Sequence, residues 1–185
     1  MADAITLLKD DHRSVEKLFK SFEQAGPKAL KTKARLVEGI VRDLTVHASI
    51  EEQIFYPRVR QDAQDLEADV LEALEEHHVA KWLLSELDGL DPSAERFEAK
   101  VTVLIESVRH HVKEEERSLF PAVRKAFGRP ALAAMGDALA AAKKGAPVKP
   151  RPRLPDEPPL NRLADAGAGA VDRALGTLKK AKASR

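Results

Sequence analysis

Cysteine is absent from the 185 residues. That excludes disulfides, thiolate zinc sites, iron–sulfur clusters and cysteine nucleophiles. Any bound metal would have to be held by imidazole and carboxylate, a donor set that suits iron, zinc or manganese. Aromatics are scarce, with six Phe, one Trp and one Tyr, which leaves little for stacking on nucleic-acid bases. No stretch of about 18 uncharged apolar residues occurs, so no membrane span is expected. The start, MADAITLLKDDH, has no basic region followed by a long apolar run, and a cytoplasmic protein is the expectation. GxxxxGK[ST] and GxGxxG are missing, as is any Ser-centred nucleophile motif, which argues against phosphate cradles and acyl transfer.

What is present is an apolar fraction of 43%, enough for a sizeable core, and a charged fraction of 33%. The net charge of +1 is unevenly spread: residues 1–127 hold 19 Lys and Arg against 25 Asp and Glu, and residues 128–185 hold 12 against 5. The chain therefore reads as an acidic body, 1–128, followed by a basic Ala/Pro-rich tail, 129–185. In the body, four segments show helical periodicity: about Asp3 to Ala25, Lys28 to Arg60, Asp65 to Gly89, and Ala94 to Phe127. Pro57 and Pro121 stand near the ends of the second and fourth, where a kink or stop is expected. Short loops between amphipathic helices predict an all-α, up-down-up-down four-helix bundle. In the tail, residues 131–144 are Ala-rich and compatible with one more helix. Residues 145–159 read as a Pro-rich extended linker. Residues 160–185 read as a weak amphipathic helix or a tethered disordered segment whose partner is unknown. The tail lacks a recognisable nucleic-acid-binding fold, so no specific nucleic acid is expected as a partner.

Polar residues stand at core positions in all four segments. His12, His47, Glu51, His77, His111 and Glu115 each fall where the stripe of their helix demands an apolar side chain. A buried, unpaired carboxylate is expensive, so Glu51 and Glu115 need partners, and a metal would partner all six residues together. The pairs His47/Glu51 and His111/Glu115 sit at i and i+4, neighbours on one helix face. The segments HASIEEQIFYP and HVKEEERSLFP repeat the His, the two Glu, an aromatic and the Pro in register. Asp10-Asp11-His12 and Glu75-Glu76-His77 match in the same way. Two helix pairs of one design would place two half-sites at a pseudo-twofold axis, a two-metal arrangement.

The order His12, His47-x-x-x-Glu51, His77, His111-x-x-x-Glu115 resembles the hemerythrin-like, or HHE cation-binding, family over about residues 3–127. The resemblance implies a left-handed four-helix bundle around a non-heme di-iron centre, two iron ions bridged by carboxylates and by an oxo or hydroxo group. It implies a small diatomic ligand or peroxide as partner: binding or sensing of O2, NO or iron, or an enzyme acting on peroxide, nitric oxide or ferrous iron. A structural bundle whose tail recruits a partner is a third reading. The oxygen-carrying hemerythrins place two His four residues apart on the third helix. Here Lys81 follows His77 at that spacing, so the set is one His short. That leaves an open or water-filled position, or another ligand, and favours the bacterial relatives linked to peroxide, nitric oxide or iron handling. His78 and His110 lie about 100° round their helices from the candidate ligands and read as non-ligands. Glu52, Glu114 and Glu116 read as solvated groups or as carboxylates behind ligand imidazoles. Tyr56 would lie about 180° from His47 on a regular helix, so only a bend near Pro57 could bring it to the site.

Overall fold

The computed structural model describes residues 2–154 together with Asn161, Gly167 and Asp172. Helix α1 (Ala4–Gln24) begins where the Asp3 carboxylate accepts the Thr6 N–H at 2.8 Å. It buries Ile5, Leu8, His12, Val15, Phe19 and Phe22, the stripe expected from periodicity. Helix α2 starts as Leu30–Ile50, passes through a π-helical turn at Glu51–Phe55 and continues as Tyr56–Asp62. A short 3₁₀ turn (Gln64–Leu66) leads into α3 (Glu67–Leu87), after which Gly89 turns the chain at φ 81°. Helix α4 repeats the plan of α2, with Phe97–Glu114, a π-turn at Glu115–Leu119, and Phe120–Ala126. α1 packs on α2, α2 on α3 and α3 on α4, which makes the expected all-α bundle, and no strand occurs among the described residues.

Pro57 and Pro121 do not stop their helices. In each case the helix widens just before the proline: Tyr56 N–H bonds to the Glu51 carbonyl, and Phe120 N–H to the Glu115 carbonyl. These i→i+5 bonds insert one extra residue, so everything downstream is rotated by about 100° relative to an unbroken α-helix. The proline then stands at the start of the resumed helix, where its missing N–H costs least.

The core is divided into two apolar clusters. One contains Ile5, Leu8, Ile50, Phe55, Val70 and Phe120, and the other contains Val15, Phe19, Ile40, Leu44, Leu84 and Val108. The polar residues singled out by sequence lie at the level between them, for Leu8 and Val15 flank His12, and Val108 and Leu119 bracket His111 and Glu115.

A fifth helix, α5 (Arg129–Lys143), packs against α1 and α2. Leu132, Met135 and Leu139 join the same apolar cluster as Ile5 and Leu8, so the packed structure continues past Gly128. Gly136 permits this docking, because a Cβ there would lie 2.5 Å from the Ala2 carbonyl oxygen. Lys143 of α5 pairs with Asp11. In the Pro-rich stretch, Lys149 Nζ lies 3.0 Å from Asp88, Arg151 lies 2.8 Å from Asp172, and Arg153 covers the Trp82 ring. The segment expected as a weak helix at 160–185 lies outside the described residues except at Asn161, Gly167 and Asp172. No helix among the described residues is long and apolar enough to cross a membrane.

Candidate metal centre

All six polar residues converge in the layer between the two apolar clusters, each no more than 6% exposed. The α1 and α2 imidazoles meet with His12 Nε2 3.1 Å from His47 Nε2, and the α3 and α4 imidazoles meet with His77 Nε2 3.1 Å from His111 Nε2. The carboxylates do not stay with one pair. Glu51 Oε2 lies 3.1 Å from His47 Nε2 and 3.5 Å from His77 Nε2. Glu115 Oε2 lies 3.3 Å from His12 Nε2 and 3.5 Å from His111 Nε2. Each carboxylate therefore spans the two imidazole pairs. Two buried donor groups result, His12/His47/Glu51/Glu115 and Glu51/His77/His111.

Behind every imidazole stands another carboxylate. Glu116 lies 2.9 Å from His12 Nδ1, and Glu52 lies 3.1 Å from His77 Nδ1. Glu76 lies 2.8 Å from His111 Nδ1, and Asp11 lies 3.7 Å from His47 Nδ1. With Nδ1–H bonded to a carboxylate, His12, His77 and His111 would each turn a bare Nε2 toward the centre, the tautomer a metal ligand needs, while Asp11 stands near His47 Nδ1 beyond hydrogen-bond distance. The expectation for Glu52 and Glu116 named this alternative. Asp11 and Glu76 were visible in the sequence only as the residues preceding His12 and His77 in both repeats.

Lys81 does not leave an empty place. It is buried, and its ammonium lies 2.9 Å from Glu52, the carboxylate behind His77. Tyr56, 1% exposed, approaches the centre instead. Its hydroxyl donates to Glu115 Oε1 at 2.9 Å and lies 3.4 Å from His77 Nε2. The π-turn supplies the rotation that a regular helix lacks. At the matching position of α4 stands Phe120, stacked on His12 with ring centroids 5.7 Å apart. His78 is turned away and accepts from Trp82 Nε1 at 3.2 Å. His110 is exposed and lies 3.3 Å from Glu114, which with Glu76 forms a separate surface group.

Burial pushes the His47 imidazole down to about 4, against the opposing pull of Asp11. Burial, with His111 alongside, also drives His77 well below its ordinary range. Both rings are thus neutral near pH 7, with a lone pair to offer. Burial would lower His111 too, but Glu115 and Glu76 outweigh it and the ring is moved up. Burial would raise Glu115, yet His111, His12 and His47 hold it at about 2. Glu51 is forced well above the usual carboxylate range by burial and by Glu115. Two carboxylates in one dry layer cannot both ionise cheaply unless a cation lies between them.

The donor set fits such a cation. Both Glu51 oxygens and Glu115 Oε2 are buried and have no hydrogen-bond partner. Buried carboxylate oxygens are seldom left this way. Four buried imidazoles and two carboxylates that span them match the borderline and hard ligands of a divalent transition metal.

Fold and site together define a helical bundle with a buried imidazole–carboxylate cation site. The sequence profile of the hemerythrin HHE cation binding domain matches residues 3–123, and the chain belongs to that family. It is 23% identical over 171 residues to an uncharacterized hemerythrin-like protein of Schizosaccharomyces pombe, covering 92% of this chain and 83% of that one. It is 35% identical over 119 residues to a DNA nickase of Nostoc, covering 64% of this chain and spanning only 32% of the nickase. The crystal structure of a hemerythrin HHE cation binding domain-containing protein from Mycobacterium kansasii is similar, with a TM-score of 0.65 and 25% identity over 78% of this chain and 86% of that one.

Proposed function

We propose that the chain holds a non-heme di-iron centre and uses it to bind or sense O2, NO or iron. The observation that carries this reading is the crossing of Glu51 and Glu115 between the two imidazole pairs. A carboxylate with one neighbour on each side is built to bridge two ions. His12, His47, Glu51 and Glu115 would hold one ion, and His77 and His111 with the shared carboxylates the other. Glu116, Asp11, Glu52 and Glu76 would fix the rings through Nδ1. The Tyr56 hydroxyl would stand beside the His77 and Glu115 donors. When bound, two irons supply an exchangeable position for a small ligand and a store of electrons.

Tyr56 also supports a second reading, an enzyme acting on peroxide, nitric oxide or ferrous iron. A phenolic O–H within hydrogen-bond reach of the centre can hand a proton to an oxygen-containing substrate, and burial together with Glu115 keeps that phenol protonated.

Metal analysis combined with optical spectra under O2, peroxide and NO tests both readings. About two irons per chain, with absorption bands that change reversibly with O2 or NO, are expected for a binding protein. Turnover of peroxide or NO without a stable adduct would favour the enzyme. A chain purified with zinc alone, or unable to take up more than one ion, would sink the di-iron reading.

A further inference from the structure

The four sides of the bundle are not treated alike. α5 covers α1 and α2, and residues of the C-terminal stretch lie on the Trp82 side of α3. Between α1 and α4, by contrast, a cavity of about 600 Å³ runs from the surface to the metal layer. Its floor includes all four candidate ligand imidazoles, His12, His47, His77 and His111. Its walls are apolar, with Val15, Phe19, Leu44, Leu84, Val108 and Val112. A diatomic molecule needs no such space, since even a water occupies only about 30 Å³ of liquid. The volume instead falls within the range of about 300–1,000 Å³ typical of sites for organic ligands.

The mouth is cationic. Arg13, Lys17 and Lys20 line it from α1, and Arg109, Lys113 and Arg117 line it from α4. The carboxylates there are already engaged: Glu16 binds Arg109, Glu116 faces His12 and Glu76 faces His111. Lys17, Lys113 and Arg117 are exposed and, among the described residues, have no carboxylate within ion-pair distance. The internal repeat provides a control. In register with His12/His77 and His47/His111, the six cationic positions correspond to His78, Trp82, Ser85, Thr45, Ser49 and Gln53, none of them Lys or Arg. The positive mouth belongs to one side of the scaffold, whereas the apolar shaft is shared by the repeat: Ala80, Leu84, Leu44 and Ala48, the counterparts of Val15, Phe19, Val108 and Val112, line it too.

We propose that this cavity binds an amphipathic monocarboxylic acid, a medium-chain fatty acid, with its carboxylate among Lys17, Lys113 and Arg117 and its alkyl chain running down toward the four imidazoles. A neutral hydrocarbon would make no use of the cations, and a small hydrophilic anion would make none of the shaft. The inference extends the metal-centre reading by naming the ligand class of that site, but its recognition elements are separate from the metal ligands.

Calorimetric titration of the full chain with decanoate, dodecanoate and dodecanol, with metal content measured on the same sample, tests it. Dodecanoate should bind saturably at one per chain and more tightly than decanoate, each added methylene contributing roughly fourfold. Combined Lys17→Glu, Lys113→Glu and Arg117→Glu substitutions at exposed positions should weaken dodecanoate by roughly tenfold and leave dodecanol nearly unchanged. Val112→Trp should plug the shaft and abolish binding of both. The proposal is overturned if dodecanoate does not bind saturably, if chain length has no effect, or if the charge-reversed variant binds as the parent does. A metal-loaded sample that ignores dodecanoate would defeat this inference alone. A sample unable to take up two ions that still binds dodecanoate would defeat the di-iron reading and leave this one standing.

Discussion

The first helix pair, α1 and α2, and the second, α3 and α4, are two versions of one design, and their differences fall into a pattern. What is repeated lies in the polar layer: the single His of α1 and α3, the His and Glu of α2 and α4, a carboxylate behind each ring, and a π-turn before each proline. What is not repeated lies at its edges. Tyr56 in the first pair corresponds to Phe120 in the second. Lys81, four residues after His77, corresponds to Glu16, four after His12. Asp11 receives the ammonium of Lys143 from α5, whereas its counterpart Glu76 lies near exposed His110 and Glu114. The repeat specifies how the imidazoles and carboxylates of the candidate site are held, and the departures from it specify how that site is approached.

Removing a carboxylate that both pairs share should have the largest effect. Glu51→Ala is expected to abolish uptake of both ions, as is Glu115→Ala, measured as metal per chain after reconstitution. Retention of one tightly held ion in either variant would show that the two groups are independent.

Truncation after Gly128 comes next. It strips α5 from Ile5, Leu8 and Ile50, and burial of Leu132, Met135 and Leu139 is lost with it. At about 1.5–3 kcal/mol for each large apolar side chain, that is comparable to the whole stability of a small domain. The truncated chain should unfold at markedly lower denaturant, and a midpoint equal to that of the full chain would show that α5 is an ornament.

Exchanging the aromatics tests the asymmetry directly. Tyr56→Phe should keep the fold and both ions but slow any proton-dependent reaction by about 10²-fold or more. Phe120→Tyr would aim a hydroxyl at Glu51, the repeat counterpart of Glu115, and a loss of about 1–3 kcal/mol in chemical unfolding would show that this hydroxyl finds no partner there. Smaller still is the effect behind the rings. Glu52→Gln should weaken metal binding by about 10–100-fold while leaving the fold intact.

The metal-free protein should also respond to pH in a direction that can be stated. His47 titrates at about 4 in the folded chain and near 6.5 when unfolded. Between those values the unfolded chain binds the extra proton, so this ring's contribution to stability falls as the pH falls from about 6.5 toward 4. His47→Ala should flatten that part of the stability profile. An unchanged slope would mean that the buried ring is not kept neutral.

Most of the scaffold was legible in the sequence because hydrophobic periodicity and the repeat are local signals. His12 and His77 were marked by standing where Leu or Val would be expected, and the i, i+4 pairs by their spacing. The role of Tyr56 was hidden by the assumption of a regular helix: a proline at 57 reads as a kink or stop, and nothing in EEQIFYP announces an i→i+5 bond. The carboxylates behind the rings were half visible. Asp11 and Glu76 could have been found by asking which acids recur beside the candidate ligands. That Glu116 reaches His12 and Glu52 reaches His77, each from the other helix pair, depends on how the helices cross. The docking of α5 was missed for a different reason. Its stripe of Leu132, Met135 and Leu139 is thin, and Ala-rich sequence forms a helix without revealing whether anything lies against it.

The crossing of Glu51 and Glu115 has a consequence for a titration with metal. On the two-ion reading, a first ion would draw in both carboxylates, whose Oε2 atoms already lie between the two imidazole pairs, so a second ion would meet a site whose carboxylate repulsion has been relieved and whose rings are in place. Singly occupied molecules should therefore be rare at every metal concentration, and the protein should pass from empty to full with a Hill slope above one.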